Sequence, residues 1–131
     1  ALETAIAETV FHFEAFARDS ADPPRSEDMR VLVGTVAGVF EDVAAMPDEE
    51  RRAIIDRDSY AASQAFAVHL RANGADGIAY PSVRQEGGQC VGVFRARLVG
   101  IPRQERHLKY RWNGERVDRY FDYSRDAWVG L

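Results

Sequence analysis

The sequence contains a single cysteine and no long apolar run, and each of these features excludes certain kinds of protein. Cys90 is the one cysteine among 131 residues, which excludes a disulfide framework within the chain and provides no zinc-ligand set. A lone thiol suits a reducing cytoplasm. The sequence has no run of about 18 apolar residues, the length needed to cross a bilayer. It therefore predicts a cytoplasmic protein without a metal site or a membrane span.

The start of the chain, Ala1 to Thr4, lacks an initiator methionine and the basic-then-apolar layout of a secretory signal. A helical pattern begins almost at once, so we expect upstream residues that belong to the same protein. With 46% hydrophobic and 29% charged residues, the chain has an ordinary globular composition and enough length for a core. We predict a single domain over residues 1–131.

The charge is unevenly distributed along the chain. The net charge of −4 argues against a general nucleic-acid binder. Residues 1–90 carry 8 Lys/Arg against 16 Asp/Glu, whereas residues 91–131 carry 9 against 5. The basic final third could attract a phosphate-bearing ligand or an acidic partner segment, or it could simply be a solvated hairpin.

Helical and strand patterns are mixed along the chain. Apolar residues at helical spacing predict a first helix from about Glu3 to Arg18. Asn113-Gly114, between the β-rich runs Arg106–Trp112 and Glu115–Phe121, predicts a hairpin. The other predicted elements are one or two strands within Met29–Val43, a short helix after Pro47, a helix from Tyr60 to Asn73 capped by Asp58 or Ser59, a strand Gly77–Tyr80 and a strand Cys90–Leu98. This mixture predicts an α/β or α+β fold with antiparallel pairing at the C-terminal end.

The most informative carboxylate of the first helix is Glu8. At about 100° per residue, Glu3, Glu14 and Arg18 share one arc, which we predict to be the solvent side. Glu8 lies away from that arc, with His12 one turn further along. A carboxylate turned away from water is either paired or placed for chemistry. A structural ion pair therefore remains an alternative to a catalytic role.

A second candidate is Ser82, which follows Tyr80-Pro81 at the predicted end of a strand. Pro81 removes a backbone donor, so we expect Ser82 to leave the regular ladder. Its hydroxyl could donate to a ligand oxygen, and the nearby Arg84 could pair with phosphate. The alternatives are a capping serine in a polar loop and, more weakly, a hydrolase nucleophile.

Several motifs, taken together and in order, resemble the RES-domain family. These are Thr4-Ala5-Ile6-Ala7-Glu8 with Phe11-His12, Tyr60 with Ser63-Gln64, Gly77-Ile78-Ala79-Tyr80-Pro81-Ser82-Val83-Arg84, Gly87-Gly88-Gln89-Cys90, and His107-Leu108 through Trp112-Asn113-Gly114. Each motif is weak alone, but the resemblance spans nearly the whole chain. The arginine and tyrosine typical of the family belong to an N-terminal segment that does not appear in this sequence.

The resemblance implies a fold similar to ADP-ribosyltransferases, with a mixed sheet and flanking helices, and a toxin-type enzyme that degrades NAD. Cleavage would proceed by phosphorolysis, with inorganic phosphate as co-substrate, or by hydrolysis. The resemblance assigns Glu8 and Ser82 as catalytic residues. We add Arg84, His12 and Tyr80 as NAD-binding candidates.

The resemblance also implies a partner, because a freely active NAD-degrading enzyme would harm its own cell. We expect a cognate helix-turn-helix antitoxin of the Xre type, a toxin–antitoxin hetero-oligomer, and no direct contact of this chain with nucleic acid. Two alternatives stay open: a mono-ADP-ribosyltransferase acting on a protein, and a catalytically silent partner-binding module.

Overall fold

A computed structural model describes residues 1–56 and 59–131 of the chain. The helices and strands are, in order, α1 (Leu2–Asp19), β1 (Arg25–Val33), β2 (Phe40–Asp42), α2 (Asp48–Ile54), α3 (Ala61–Ala72), β3 (Gly77–Pro81), β4 (Gln89–Val93), β5 (Arg103–Trp112), β6 (Val117–Asp122) and β7 (Ala127–Gly130). Short 3-10 helices occupy Val43–Ala45 and Ala96–Leu98. Among the described residues, no helix combines the length and the apolar character that a membrane span requires.

The chain divides into two compact units. The first unit consists of Ala1–Ala7 and Thr35–Gly100, and the second of Glu8–Gly34 and Ile101–Leu131. Helix α1 therefore contributes its first residues to one unit and the remainder to the other. The prediction of a single domain over residues 1–131 stays a prediction.

The second unit is built on a four-stranded antiparallel sheet in the order β1-β5-β6-β7. In β5, Leu108, Tyr110 and Trp112 are buried and alternate with more exposed residues, because successive side chains of a strand face opposite sides. Helix α1 covers the buried side, where the Phe13 ring lies edge-on to Tyr110 at 6.5 Å and to Trp112 at 6.3 Å. Together with Ala17, Leu108 and Val117, these rings form the core of this unit.

The hairpin between β5 and β6 is closed by Asn113. Its side-chain oxygen accepts hydrogen bonds from the backbone N–H groups of Glu115 and Arg116, each at 2.9 Å. Gly114 has φ of +103°, a backbone conformation that L side chains avoid. The predicted hairpin is confirmed. Its second strand begins at Val117, because the Asn113 side chain holds Glu115 and Arg116 in the turn.

The first unit contains a three-stranded sheet in the order β2-β3-β4, in which β2 runs parallel and β4 antiparallel to β3. The buried apolar residues of this unit are Ile6, Val43 and Ile78. The sheet is crowded at Gly77, where a Cβ atom would lie 2.2 Å from the backbone oxygen of Gly92. Only glycine permits this approach of the two strands.

The predicted fold class is confirmed: helices and two sheets are mixed, and the smaller sheet is itself mixed. The three predicted helices are present as α1, α2 and α3. The hydroxyl oxygen of Ser59 accepts a hydrogen bond from Ala61 N at 3.3 Å, just before α3. The N-cap of α3 is nevertheless Tyr60, which makes no side-chain capping bond, so the prediction of Ser59 as the cap was wrong. The other predicted cap, Asp58, lies outside the described residues.

Two predicted strands have different bounds. The Met29–Val43 segment forms two strands separated at residues 34–39, but the first already begins at Arg25, where pairing with Trp112 starts. The predicted strand Cys90–Leu98 was too long, because β4 ends at Val93. The side chain of Arg95 binds Asp76 and the backbone oxygen of Gly74, and this turns the chain into a 3-10 helix.

Candidate functional site

Ser82 follows the last residue of β3 and organises the turn that comes next. Its Oγ accepts hydrogen bonds from the backbone N–H groups of Arg84 and Gln85, both at 3.1 Å. Its own N–H donates to the Gly88 oxygen at 2.9 Å. A serine oxygen that accepts two hydrogen bonds presents its hydroxyl hydrogen as a donor. This geometry suits a hydrogen-bonding role better than that of a nucleophile.

The two neighbouring candidates lie in the same unit as Ser82. Tyr80 belongs to β3, where it pairs with Cys90 of β4, and Arg84 lies within the turn that Ser82 organises. Both residues are half-buried. The chain thus brings an aromatic ring, a hydroxyl and a guanidinium into one short segment.

The first turn of α1 packs closely against this turn. A Cβ atom on Gly88 would lie 2.7 Å from the Thr4 hydroxyl, which is buried. Because the Thr4 side chain fills this space, Gly88 cannot carry a side chain without displacing it. Gly88 therefore has a packing role beside Ser82, whereas Gly87 has open space around it and a φ of +69°.

Glu8 and His12 lie on α1 in the second unit. Glu8 is half-buried, whereas Glu3 on the same helix is exposed. His12 is exposed, and its ring lies edge-on to Phe11 with 5.3 Å between centroids. The structure thus places Ser82, Arg84 and Tyr80 in the first unit and Glu8 and His12 in the second, and their assignment to a common site remains a prediction.

Sequence reasoning missed the part played by Glu14. We expected it on the solvent side of α1, but its side chain is only 18% exposed. Its Oε1 accepts a hydrogen bond from Val117 N at 2.7 Å, and its Oε2 lies 3.4 Å from Arg18 Nη1. The carboxylate therefore fixes α1 to the hairpin. Nothing in the local sequence indicates this, because the two residues are far apart along the chain.

Among the groups of the second unit with shifted pKa values are the carboxylate of Asp122 and the phenol of Tyr110. The hydroxyl of Ser124, which donates to the carboxylate at 2.6 Å, lowers the pKa of Asp122, and the Ser124 N–H and Arg106 act in the same direction. Burial raises the pKa of Tyr110, partly offset by its hydrogen bond with Thr9 at 2.8 Å. Both groups support the sheet on which α1 lies.

Within residues 1–56 and 59–131, no group of three or more His, Cys, Asp or Glu side chains could hold a metal ion.

Comparisons with known proteins indicate the family. The chain is similar to the uncharacterized protein y4oC of Sinorhizobium fredii, with 28% identity over 122 residues. This match covers 93% of the chain but 49% of that protein, so the chain spans about half the length of this curated relative. No solved structure matches. The RES domain family matches residues 1–113, which include Glu8 and Ser82. The chain therefore belongs to the RES-domain family.

Proposed function

We propose that this protein is a toxin-type enzyme that cleaves NAD at the bond between nicotinamide and ribose. Family membership supports an enzyme-like domain with an NAD-related function. The main support for NAD cleavage is that the region matched by the family contains both Glu8 and Ser82. Glu8 is half-buried on α1, and the side chain of Ser82 is fixed in a turn. We also propose an ADP-ribosyltransferase-like arrangement for the complete protein.

The proposed chemistry assigns a separate task to each residue type. As the ribose–nitrogen bond breaks, its electron pair leaves with nicotinamide and positive charge develops on the ribose. The Glu8 carboxylate stabilises that charge. An oxygen of water or of inorganic phosphate then bonds to the same ribose carbon and gives up a proton. This reaction requires neither a metal nor an oxidant.

The remaining candidates bind rather than react. Ser82 donates a hydrogen bond to the ribose or to the nicotinamide amide, since its oxygen already accepts from two backbone groups. The Arg84 guanidinium pairs with the pyrophosphate or with the attacking phosphate. Tyr80 and His12 contact the nucleotide.

The proposal is tested by incubating the protein with NAD, with and without phosphate, and measuring nicotinamide release. A phosphate-dependent sugar phosphate indicates phosphorolysis, and ADP-ribose without phosphate indicates hydrolysis. Label from NAD on a protein band would instead favour ADP-ribosyl transfer. No NAD loss at high protein concentration would reject the proposal.

A matched pair of variants tests the role of Glu8. Glu8→Gln keeps the shape of the side chain but removes its charge, so we expect the turnover number to fall by about a hundredfold or more. Glu3→Gln, on the exposed part of the same helix, is the control and should leave turnover unchanged. If both variants retain activity, Glu8 is not the stabilising carboxylate.

We further propose that the protein works in the cytoplasm and is held inactive there by a cognate helix-turn-helix antitoxin of the Xre type. Because this chain has a net charge of −4, we assign contact with DNA to the antitoxin rather than to this chain. A helix-turn-helix protein encoded beside this one should co-elute with it as a hetero-oligomer and suppress NAD loss. Separate elution with undiminished activity would contradict this part of the proposal.

A further inference from the structure

The four-stranded sheet of the second unit has one side covered by α1 and another side that carries cations and aromatic rings. Because the buried residues of β5 alternate with His107, Lys109 and Arg111, these three face the opposite side. The register of the neighbouring strands extends this surface. We call it the basic–aromatic face and define it by Lys109, Arg111, Arg119, Phe121, Tyr123 and Trp128. At the β1 edge of the same side, Asp28 lies opposite Lys109 and pairs with it at 3.9 Å.

Three aromatic rings of this face form a continuous surface patch. Phe121 lies 5.1 Å from Tyr123 and 5.4 Å from Trp128, both in edge-to-face geometry. Tyr123 is 46% exposed and Trp128 45% exposed. Single exposed aromatic residues are common, but a contiguous set beside arginines has the composition of a protein-binding surface.

Two of the three cations of the face, Arg111 and Arg119, are placed unfavourably for an isolated chain. Arg111 and Arg119 are direct cross-strand partners, and like charges in that position repel each other. The Asp118 carboxylate reaches Arg111 only at 4.0 Å. The guanidinium of Arg119 lies 4.6 Å above the Trp128 ring, and its Nε is shielded from solvent without a hydrogen-bond acceptor in the described part of the chain. A ligand that brings carboxylates would relieve this repulsion.

The ring contacts favour an acidic peptide over a single-stranded nucleic acid. Bases would need open ring faces for stacking, but Arg119 lies over Trp128 and Lys109 lies over Tyr123 at 5.4 Å. A peptide with a few carboxylates can use the arginine forks directly.

We propose that the basic–aromatic face binds an acidic segment of a partner protein in which acidic and apolar residues alternate. Carboxylates bind Arg111 and Arg119, and an apolar side chain packs on Phe121. Next to the face, a recess of about 470 Å³ lined by Asp28, Arg30, His107 and Tyr123 accommodates a further side chain. This inference does not depend on the proposed NAD chemistry.

The test uses a fluorescein-labelled peptide of alternating glutamate and leucine, titrated with the protein and followed by fluorescence anisotropy. We expect saturable binding that weakens as salt is added. Arg119→Ala and, separately, Arg111→Ala should each weaken binding by about tenfold, because each removes a charged donor from a carboxylate. Arg97→Ala, an exposed residue of the first unit, is the control and should bind the peptide as the parent protein does.

Tryptophan emission and a nucleic-acid ligand provide two further measurements. Peptide binding should change the tryptophan emission of the parent protein but not of Trp128→Phe, because Trp112 is buried. An oligothymidylate of the same length is titrated in parallel. Absence of peptide binding, equal binding by the Arg119→Ala and Arg111→Ala variants, or tighter binding of oligothymidylate than of peptide would overturn the proposal.

Discussion

The side chain of Glu14 accepts a hydrogen bond of 2.7 Å from the backbone N–H of Val117. Val117 is the first residue of β6 and is 3% exposed, so its N–H lies where water is scarce. Arg18, one turn after Glu14, donates to the Glu115 oxygen at 3.1 Å. Helix α1 thus holds the hairpin at two points through side chains that reach the backbone.

Glu14→Ala should destabilise the protein because it leaves the Val117 N–H without its acceptor. We expect the free energy of unfolding to fall by about 1–3 kcal/mol, the usual cost of an unsatisfied buried donor. Glu14→Gln retains an acceptor oxygen and should lose less. Urea denaturation followed by circular dichroism measures both, with the exposed Glu86→Ala as control. Equal midpoints for Glu14→Ala and the control would show that this hydrogen bond adds no stability.

Gly77→Ala should disrupt the three-stranded sheet. The added Cβ would lie 2.2 Å from the Gly92 backbone oxygen and 2.8 Å from the Phe40 ring. Because backbone cannot yield as a flexible side chain can, we expect a loss of about 1–3 kcal/mol or more in the free energy of unfolding. Gly130→Ala is the matched control, since no described atom beyond its own chain neighbours lies within 4 Å of its added Cβ. Similar melting temperatures for the two variants would contradict this account.

The features that local chemistry determines could be predicted from the sequence. Helix α1 follows from apolar spacing, and the hairpin turn follows from Asn113-Gly114, whose side chain and positive φ close it. Pro81 indicated that Ser82 leaves the strand, and Ser82 indeed lies after β3. In each case the residues that decide the structure lie within a few positions of one another.

The features that depend on distant residues could not be predicted. The pairing of β1 with β5 joins segments that are far apart in sequence, and β7 gave no strand signal of its own. The early end of β4 depends on Arg95 reaching Asp76. The candidate site residues on α1 illustrate the same dependence on distant residues. Helical spacing distinguishes Glu8 from the exposed Glu3, but it could not show that Glu14 binds the hairpin.

The shifted pKa of Asp122 predicts a loss of stability in acid. Ser124 and Arg106 stabilise the charged carboxylate, so its folded pKa lies below the ordinary value of about 3.9. Above that value the stabilisation is complete. As the pH falls below the ordinary value, the carboxyl group of the unfolded chain takes up a proton first. The stabilisation is then lost progressively until the pH passes the pKa of Asp122 in the folded protein.

Asp122→Asn tests this pH dependence. The variant should melt a few degrees below the parent protein at neutral pH, and the difference should shrink in acid. Asp126→Asn is the control, because Asp126 is exposed and has φ of +50°, which asparagine tolerates. Melting curves at a series of pH values provide the measurement. A difference that stays constant down to the lowest pH would mean that the Asp122 carboxylate is not the group that titrates.

Ser82 offers a test that separates binding from covalent chemistry. Ser82→Ala removes both the hydroxyl donor and the acceptor of the turn, whereas Ser82→Asp keeps an acceptor for Arg84 N and Gln85 N. If Ser82 donates a hydrogen bond to the substrate, both variants should lower kcat/KM for NAD by about tenfold to a hundredfold and retain measurable turnover. Ser82→Asp should melt closer to the parent protein, because its turn is preserved.

A nucleophilic serine would give a different result. Turnover would then vanish in both variants, and the parent protein quenched during turnover would carry ADP-ribose on Ser82 in its peptide mass spectrum. Ser26→Ala, exposed on β1, is the control and should match the parent in kcat/KM. Because the Ser82 oxygen already accepts two backbone hydrogen bonds, attack through it would first require the turn to open. We therefore expect residual turnover in both variants and no adduct on Ser82.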